Sequence, residues 1–212
     1  MRYLIGHRGA SGYEPENTIR SFRRALYDGA NSLEMDLRLS GDGEIVVIHD
    51  RTVDRTTDGT GEVSSINLAR LRELDAGRGE RIPLLSEVID LALRKDATMF
   101  LEIKVPGMGG TLVPALRESD AIGNSVVFGR EQGREIHELE PKIGCTGPGI
   151  FRIGIHDLSP GAISEMHGRG LVLIHGDIDE RKEMRRLIGL GLDGIITNYP
   201  NRLADVVRQY GK

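Results

Sequence analysis

The chain has 212 residues, 39% of them hydrophobic, enough for one globular domain spanning residues 1–212 to bury a substantial core. Its 28 basic residues are interspersed with 32 acidic ones for a net charge of −4, so there is no basic stripe of the kind a polynucleotide requires. A single cysteine, Cys145, excludes an internal disulfide and a cysteine metal cluster, and no apolar run is long enough to span a bilayer.

In chain order, Met1 to Ile5 lead directly into His7, too short an apolar run for a cleavable leader, so a cytoplasmic location is expected. Short β-rich runs then alternate with segments of helical periodicity. Strands are predicted at Tyr3 to Gly6, Asn31 to Leu37, Ile45 to His49, Thr98 to Ile103, Ser125 to Phe128, Lys142 to Cys145, Leu171 to His175 and Asp193 to Thr197. Helices are predicted at Thr18 to Tyr27, Leu85 to Leu93, Leu112 to Glu118, Glu131 to Leu139, Gly161 to His167, Glu180 to Ile188 and Arg202 to Gln209. That rhythm predicts a parallel sheet with crossover helices, and eight strands match a compact (β/α)8 barrel.

Only Arg38 to Glu44 separates the second and third predicted strands, leaving no room for a helix. The Asp42-Gly43 turn suits an antiparallel hairpin. Such a hairpin is expected to carry His49 to the far end of the barrel, so the preferred reading is an extended return leg that ends at the same mouth. Arg51 to about Arg81 is polar and turn-rich, and reads as a small mouth-side insertion after the third strand.

Residues two apart on a strand share a face, so Glu34 projects with Asp36 and Glu102 with Lys104. Three carboxylates converging from two strands call for a partner, and an all-oxygen set selects a hard divalent ion, Mg²⁺ or Ca²⁺. The alternative for each acidic pair is an exposed charged strand face. His7 and His49 end strands, where barrel enzymes place catalytic groups, and both can exchange protons near neutrality. His137, His156 and His167 read as structural. Arg8 and Lys104 suit phosphate oxygens, or ion pairs with the nearby acids. Asn17 reads as the cap that starts the first helix.

These motifs, in this order, resemble those of the glycerophosphodiester phosphodiesterase family. The resemblance runs through His7-Arg8-Gly9, Pro15-Glu16-Asn17-Thr18, Glu34-x-Asp36, Asp42-Gly43, Val47-Ile48-His49-Asp50, Asp54-Arg55-Thr56-Thr57, Gly59-x-Gly61, Ile82-Pro83-Leu84-Leu85-x-Glu87-Val88 and Glu102-Ile103-Lys104. It closes at Gly191-Leu192-Asp193-Gly194-Ile195-Ile196-Thr197-Asn198-Tyr199-Pro200. It implies a barrel with a small insertion after the third strand. It also implies an acid/base pair of His7 and His49, a divalent ion on Glu34, Asp36 and Glu102, and phosphate contacts from Arg8 and Lys104. The expected reaction is metal-dependent hydrolysis of a small glycerophosphodiester to glycerol 3-phosphate and an alcohol, by way of a cyclic phosphate if the substrate's own hydroxyl attacks.

Departures fall in the second half. Gly176-Asp177-Ile178-Asp179 stands where such enzymes usually carry Trp-Thr-Val-Asn, and Gly129-Arg130 where Ser-Phe is common. A more open, polar alcohol pocket is expected, accepting polar or anionic head groups at least as well as choline. His175 and Asp177 share a strand face in this reading and are candidates to replace the lost contacts. Two alternatives stay open: a phospholipase D or phosphoinositide lyase-like barrel acting on lipids, and an inactive barrel that only binds phosphodiesters. The sequence leaves the oligomeric state unread.

Overall fold

Alternation along parallel strands divides the molecule into an inner and an outer layer. The structure, a computed structural model, describes residues 1–145, 150–152 and 158–210, with the backbone alone at 130, 131, 151 and 152. Its strands are β1 (Tyr3–Gly6), β2 (Ser32–Leu39), β3 (Ile45–Val47), β4 (Thr98–Ile103), β5 (Ser125–Phe128), β6 (Gly144–Cys145), β7 (Ile150–Arg152), β8 (Val172–His175) and β9 (Gly194–Thr197). Eight of them lie in the order β6-β5-β4-β2-β1-β9-β8-β7, parallel throughout, curled into an α/β fold of the TIM type. Strands β6 and β7 stand at the two ends of that order, and residues 146–149 between them lie outside the described residues.

The helices are α1 (Ile19–Tyr27), α2 (Leu68–Leu71), α3 (Leu85–Leu93), α4 (Gly109–Glu118), α5 (Arg130–Leu139), α6 (Pro160–Gly168), α7 (Arg181–Gly189) and α8 (Pro200–Tyr210). Outward residues of β2 and β4, among them Leu33, Met35, Leu37, Met99 and Leu101, pack in one cluster with Phe22 of α1, Val88 of α3 and Leu112 of α4. Inward residues Tyr3, Ile5, Phe100, Phe128, Ile174 and Ile196 form a separate cluster. Its rings interlock, Tyr3 edge-on to Phe100 at 5.2 Å and Phe100 against Phe128 at 5.3 Å. The lower half of the lumen is therefore a packed floor rather than a channel. Among the described residues, no helix is long and apolar enough to cross a membrane.

Two sequence expectations change here. The predicted third strand is not a stave of the barrel, and β7 takes its place in the count. Only three residues long and preceded by a Gly-Pro-Gly run, β7 offers too short a pattern to read. The Arg38 to Glu44 connection is an antiparallel hairpin rather than an extended return leg, pairing Leu37 with Val47 and Leu39 with Ile45. It does not take His49 to the far end. The last residue of β1, Gly6, pairs with Leu33, so β2 continues far past its neighbour and turns beyond the rim. The three-residue β3 then returns only to the level of Asp36, whose carbonyl accepts from the Ile48 N–H at 3.0 Å.

Beyond the hairpin, Val53, Val63, Leu71, Leu74, Ala76 and Ile82 pack with Val46 and Ile48 into a small core of their own. The segment from Arg51 to Arg81 is thus a folded cap seated on the hairpin, with the one-turn helix α2 as its regular helix.

Candidate active site

On the inward face, directly above the aromatic floor, the alternation of β2 and β4 places carboxylates where apolar side chains would otherwise continue. Asp36 pairs in register with Glu102, and Glu34 with Phe100. One oxygen from each of Glu34, Asp36 and Glu102 lies within 4.8 Å of the others. Glu34 and Asp36 are buried, at 1% and 0% exposure. Glu34 Oε2 accepts from the Arg8 backbone N–H at 2.9 Å, and Asp36 Oδ2 from Asn17 Nδ2 at 2.8 Å. Glu34 Oε1 and Asp36 Oδ1 are buried without a hydrogen-bond donor.

Two cations close on this cluster. Lys104 Nζ donates to Glu102 Oε1 at 2.6 Å and stands 3.0 Å from Asp36 Oδ1, while Arg8 Nε stands 3.1 Å from Asp36 Oδ2. The contacts to Asp36 are ion pairs, and neither Asp36 Oδ1 nor Arg8 Nε has a regular hydrogen-bond partner. Burial, reinforced by the charge of Asp36, pushes the Glu34 carboxyl well above the usual carboxylate range. Burial disfavours the Lys104 ammonium, but its bond to Glu102 and the charge of Asp36 prevail and hold it above its ordinary value. Two buried carboxylate oxygens without donors, beside a third acid, fit a hard divalent cation with oxygen ligands.

His7 follows β1, its backbone N–H donating to the Thr197 carbonyl at 2.8 Å. The turn below it leaves no room for side chains: a Cβ on Gly6 would stand 2.6 Å from the Gly9 carbonyl oxygen, and Gly9 has φ +85° against Ser21 of α1. His7 Nδ1 meets Asn198 Oδ1 at 2.9 Å, and Nε2 faces Glu34 Oε2 at 3.8 Å. His49 Nδ1 meets Asp50 Oδ1 at 2.6 Å, and its carbonyl accepts from Arg38 Nε at 2.9 Å. Asp50 is held far below its ordinary range, first by Arg55, and stays ionised. Arg55, from the cap, also grips Glu16 with both terminal nitrogens at 2.9 and 2.7 Å, and Glu16 accepts from Arg8 at 2.9 Å. A charged chain thereby runs from His49 through Asp50, Arg55, Glu16 and Arg8 to Asp36.

All seven site residues expected from the sequence, His7, Arg8, Glu34, Asp36, His49, Glu102 and Lys104, thus stand at one mouth, joined by this network. Asn17 has a different place from the expected one. Thr18 caps α1, its hydroxyl accepting from the Ser21 N–H at 3.2 Å, while Asn17 is 3% exposed with φ +56° and turns its amide onto Asp36. Asn198 and Asp179 carried no sequence expectation, although Asn198 lies inside the closing motif. His175 lies on the strand face of Leu173, which packs outward, and its charge is felt by Glu183 of α7. Asp177 has left the strand with φ +62° and sits at the mouth, Oδ1 3.5 Å from His7 Nδ1. His137 is exposed on α5 and His167 pairs with Asp193 at 3.0 Å, both away from the site. His156 and the Arg130 side chain lie outside the described residues.

A sequence model of the Glycerophosphoryl diester phosphodiesterase family matches residues 7–136. A glycerophosphodiester phosphodiesterase of Caldanaerobacter subterraneus subsp. tengcongensis is 34% identical, with 98% of each chain covered. Among solved structures, a glycerophosphodiester phosphodiesterase from Agrobacterium tumefaciens superposes with a TM-score of 0.90 at 27% identity, covering 98% of this chain and 100% of that one. An Oleispira antarctica phosphodiesterase in complex with the product sn-glycerol-3-phosphate superposes with a TM-score of 0.87 at 26% identity, covering 96% of each.

Proposed function

The chain belongs to the glycerophosphoryl diester phosphodiesterase family of enzymes, and on that premise we propose that it cleaves small glycerophosphodiesters to glycerol 3-phosphate and an alcohol with a divalent cation at Glu34, Asp36 and Glu102. The observation that carries this reading is the pair of donorless buried oxygens on Glu34 and Asp36, within 4.8 Å of Glu102 and beside His7. Such an ion, Mg²⁺ or Ca²⁺ by its oxygen donors, supplies Lewis-acid stabilisation to charge building on the phosphoryl oxygens.

The remaining chemistry falls to side chains. His7 and His49 each have Nδ1 committed to a neighbour, which leaves Nε2 of each for proton transfer. One imidazole takes the proton of the attacking oxygen, and the other gives a proton to the departing alkoxide. Arg8 and Lys104, anchored by Glu16 and Glu102, bring positive charge to the phosphate. We assign the attack to the substrate's own glycerol 2-hydroxyl. Its oxygen bonds to phosphorus as the alcohol leaves, and water then opens the five-membered cyclic phosphate with the histidines in exchanged roles. No Ser, Thr or Cys stands among these seven side chains, and both imidazoles are assigned to proton transfer.

The test is a panel of glycerophosphodiesters assayed with Mg²⁺, Ca²⁺, Mn²⁺ or a chelator. Turnover that depends on the ion and yields glycerol 3-phosphate is expected. Full activity after exhaustive chelation overturns the metal assignment, and activity confined to phospholipid vesicles overturns the substrate class.

A further inference from the structure

The side chain opposite His7 is itself fixed from behind. Asp179, in the loop between β8 and α7, accepts through Oδ1 from the Thr197 hydroxyl and the Asn198 backbone N–H, each at 2.9 Å. Through Oδ2 it accepts from Asn198 Nδ2 at 2.8 Å. An ionised carboxylate only accepts, so the amide nitrogen of Asn198 has to face Asp179 and its oxygen has to face away. That oxygen takes the Ser11 hydroxyl at 2.6 Å and meets His7 Nδ1 at 2.9 Å. An acceptor at Nδ1 requires the proton there, and Asn198 Oδ1 at 2.9 Å is nearer to it than Asp177 Oδ1 at 3.5 Å. The other ring nitrogen, Nε2, is then the one with the lone pair, and it faces Glu34 Oε2 at 3.8 Å, beyond hydrogen-bond reach.

We propose that Asp179 is a positioning residue which, through the side-chain amide of Asn198, holds His7 as the Nδ1–H tautomer with the Nε2 lone pair turned toward the carboxylate cluster. Free imidazole interconverts between its tautomers, and a base with its lone pair on the wrong nitrogen cannot take a proton from an oxygen in the site. The catalytic consequence rests on the acid/base role proposed for His7; the tautomer does not.

The experiment reads the ring directly. The full chain is labelled with ¹⁵N-histidine, and long-range ¹H–¹⁵N correlations are recorded at a pH where the ring is neutral, with Mg²⁺ and with chelator. The native protein is expected to show His7 Nδ1 protonated and Nε2 bare. In Asp179→Asn, an amide nitrogen replaces an acceptor, Asn198 turns over to present Nδ2 to His7, and the proton moves to Nε2. Turnover should fall on the order of 10-fold or more with KM little changed, since the base is disoriented while binding groups stay. The double variant Asp179→Asn with Asn198→Asp should restore the Nδ1–H ring, because the new amide at 179 donates to the new carboxylate at 198. A native ring protonated at Nε2 overturns the proposal without any variant, as does an unchanged ring in Asp179→Asn. If the ring switches as expected while turnover is untouched, the relay stands and the acid/base role of His7 falls.

Discussion

At the scale of single residues, the proposed roles separate proton transfer by the two histidines from ion binding by the acids. His7→Ala and His49→Ala are each expected to lose on the order of 10²-fold or more in turnover while a divalent ion still binds, as judged by steady-state kinetics beside calorimetric titration. Loss of the ion with rate retained at saturating metal would reverse the assignment. Glu34 carries a pH dependence of its own. Its folded carboxyl lies above the ordinary 4.5, so between the two values the folded chain holds a proton that the unfolded chain has released. The contribution is fully present below 4.5 and is lost as pH rises through the folded value. With chelator, Glu34→Gln should therefore melt above the native protein at neutral pH, and the gap should close toward acid. Adding divalent ion at 100 times its dissociation constant should stabilise the native protein by about 2.7 kcal/mol and the variant by much less. Equal melting at every pH and ion level would dismiss Glu34 as a ligand. The charged side chains were legible in the sequence because strand alternation fixes a shared face, and the chemistry of carboxylates and imidazoles narrows what that face can do. Asn17 and Asn198 were not, because an amide has no chemistry of its own to announce; its meaning comes from the group it faces, Asp36 at 19 residues and His7 at 191 residues away.

Between elements, the junction of the first loop with α1 assigns separate tasks to adjacent residues. Thr18→Ala removes the cap and should cost about 1 kcal/mol of stability in denaturant unfolding, with ion affinity unchanged. Asn17→Ala removes the donor that orients Asp36, and should weaken divalent-ion affinity on the order of 10-fold or more by calorimetry. Reversed outcomes would restore Asn17 as the cap. Sequence alone misread this pair, since both residue types cap helices well and only the left-handed φ of Asn17 takes it out of the capping position. The hairpin was misjudged for a related reason: pattern gives the length of a strand but not where its neighbours stop, and β2 outruns β1.

For the molecule as a whole, strand and helix alternation made the barrel legible, whereas β7 was too short to register and the cap too irregular. The cap nonetheless has a core, and Leu71→Ala, at 0% exposure, should cost about 2–5 kcal/mol measured by denaturant unfolding. Because Arg55 ties the cap to Asp50 and Glu16, Arg55→Ala should lower turnover through a loosened His49 while divalent-ion affinity persists. An Arg55→Ala enzyme with native kinetics would make the cap a passive cover. The contact between His7 and Asn198 joins residues 191 apart, just past β1 and just past β9, which pair along their whole length. A ribosome adding roughly 5–20 residues per second makes Asn198 some 10–40 seconds after His7. For about the second half of that interval, once Glu102 has been added, the nascent chain contains the three acids and both histidines, yet lacks the strand against which the first imidazole is set. The contact that sets the first imidazole therefore forms only near the end of synthesis, among the last residues to be added.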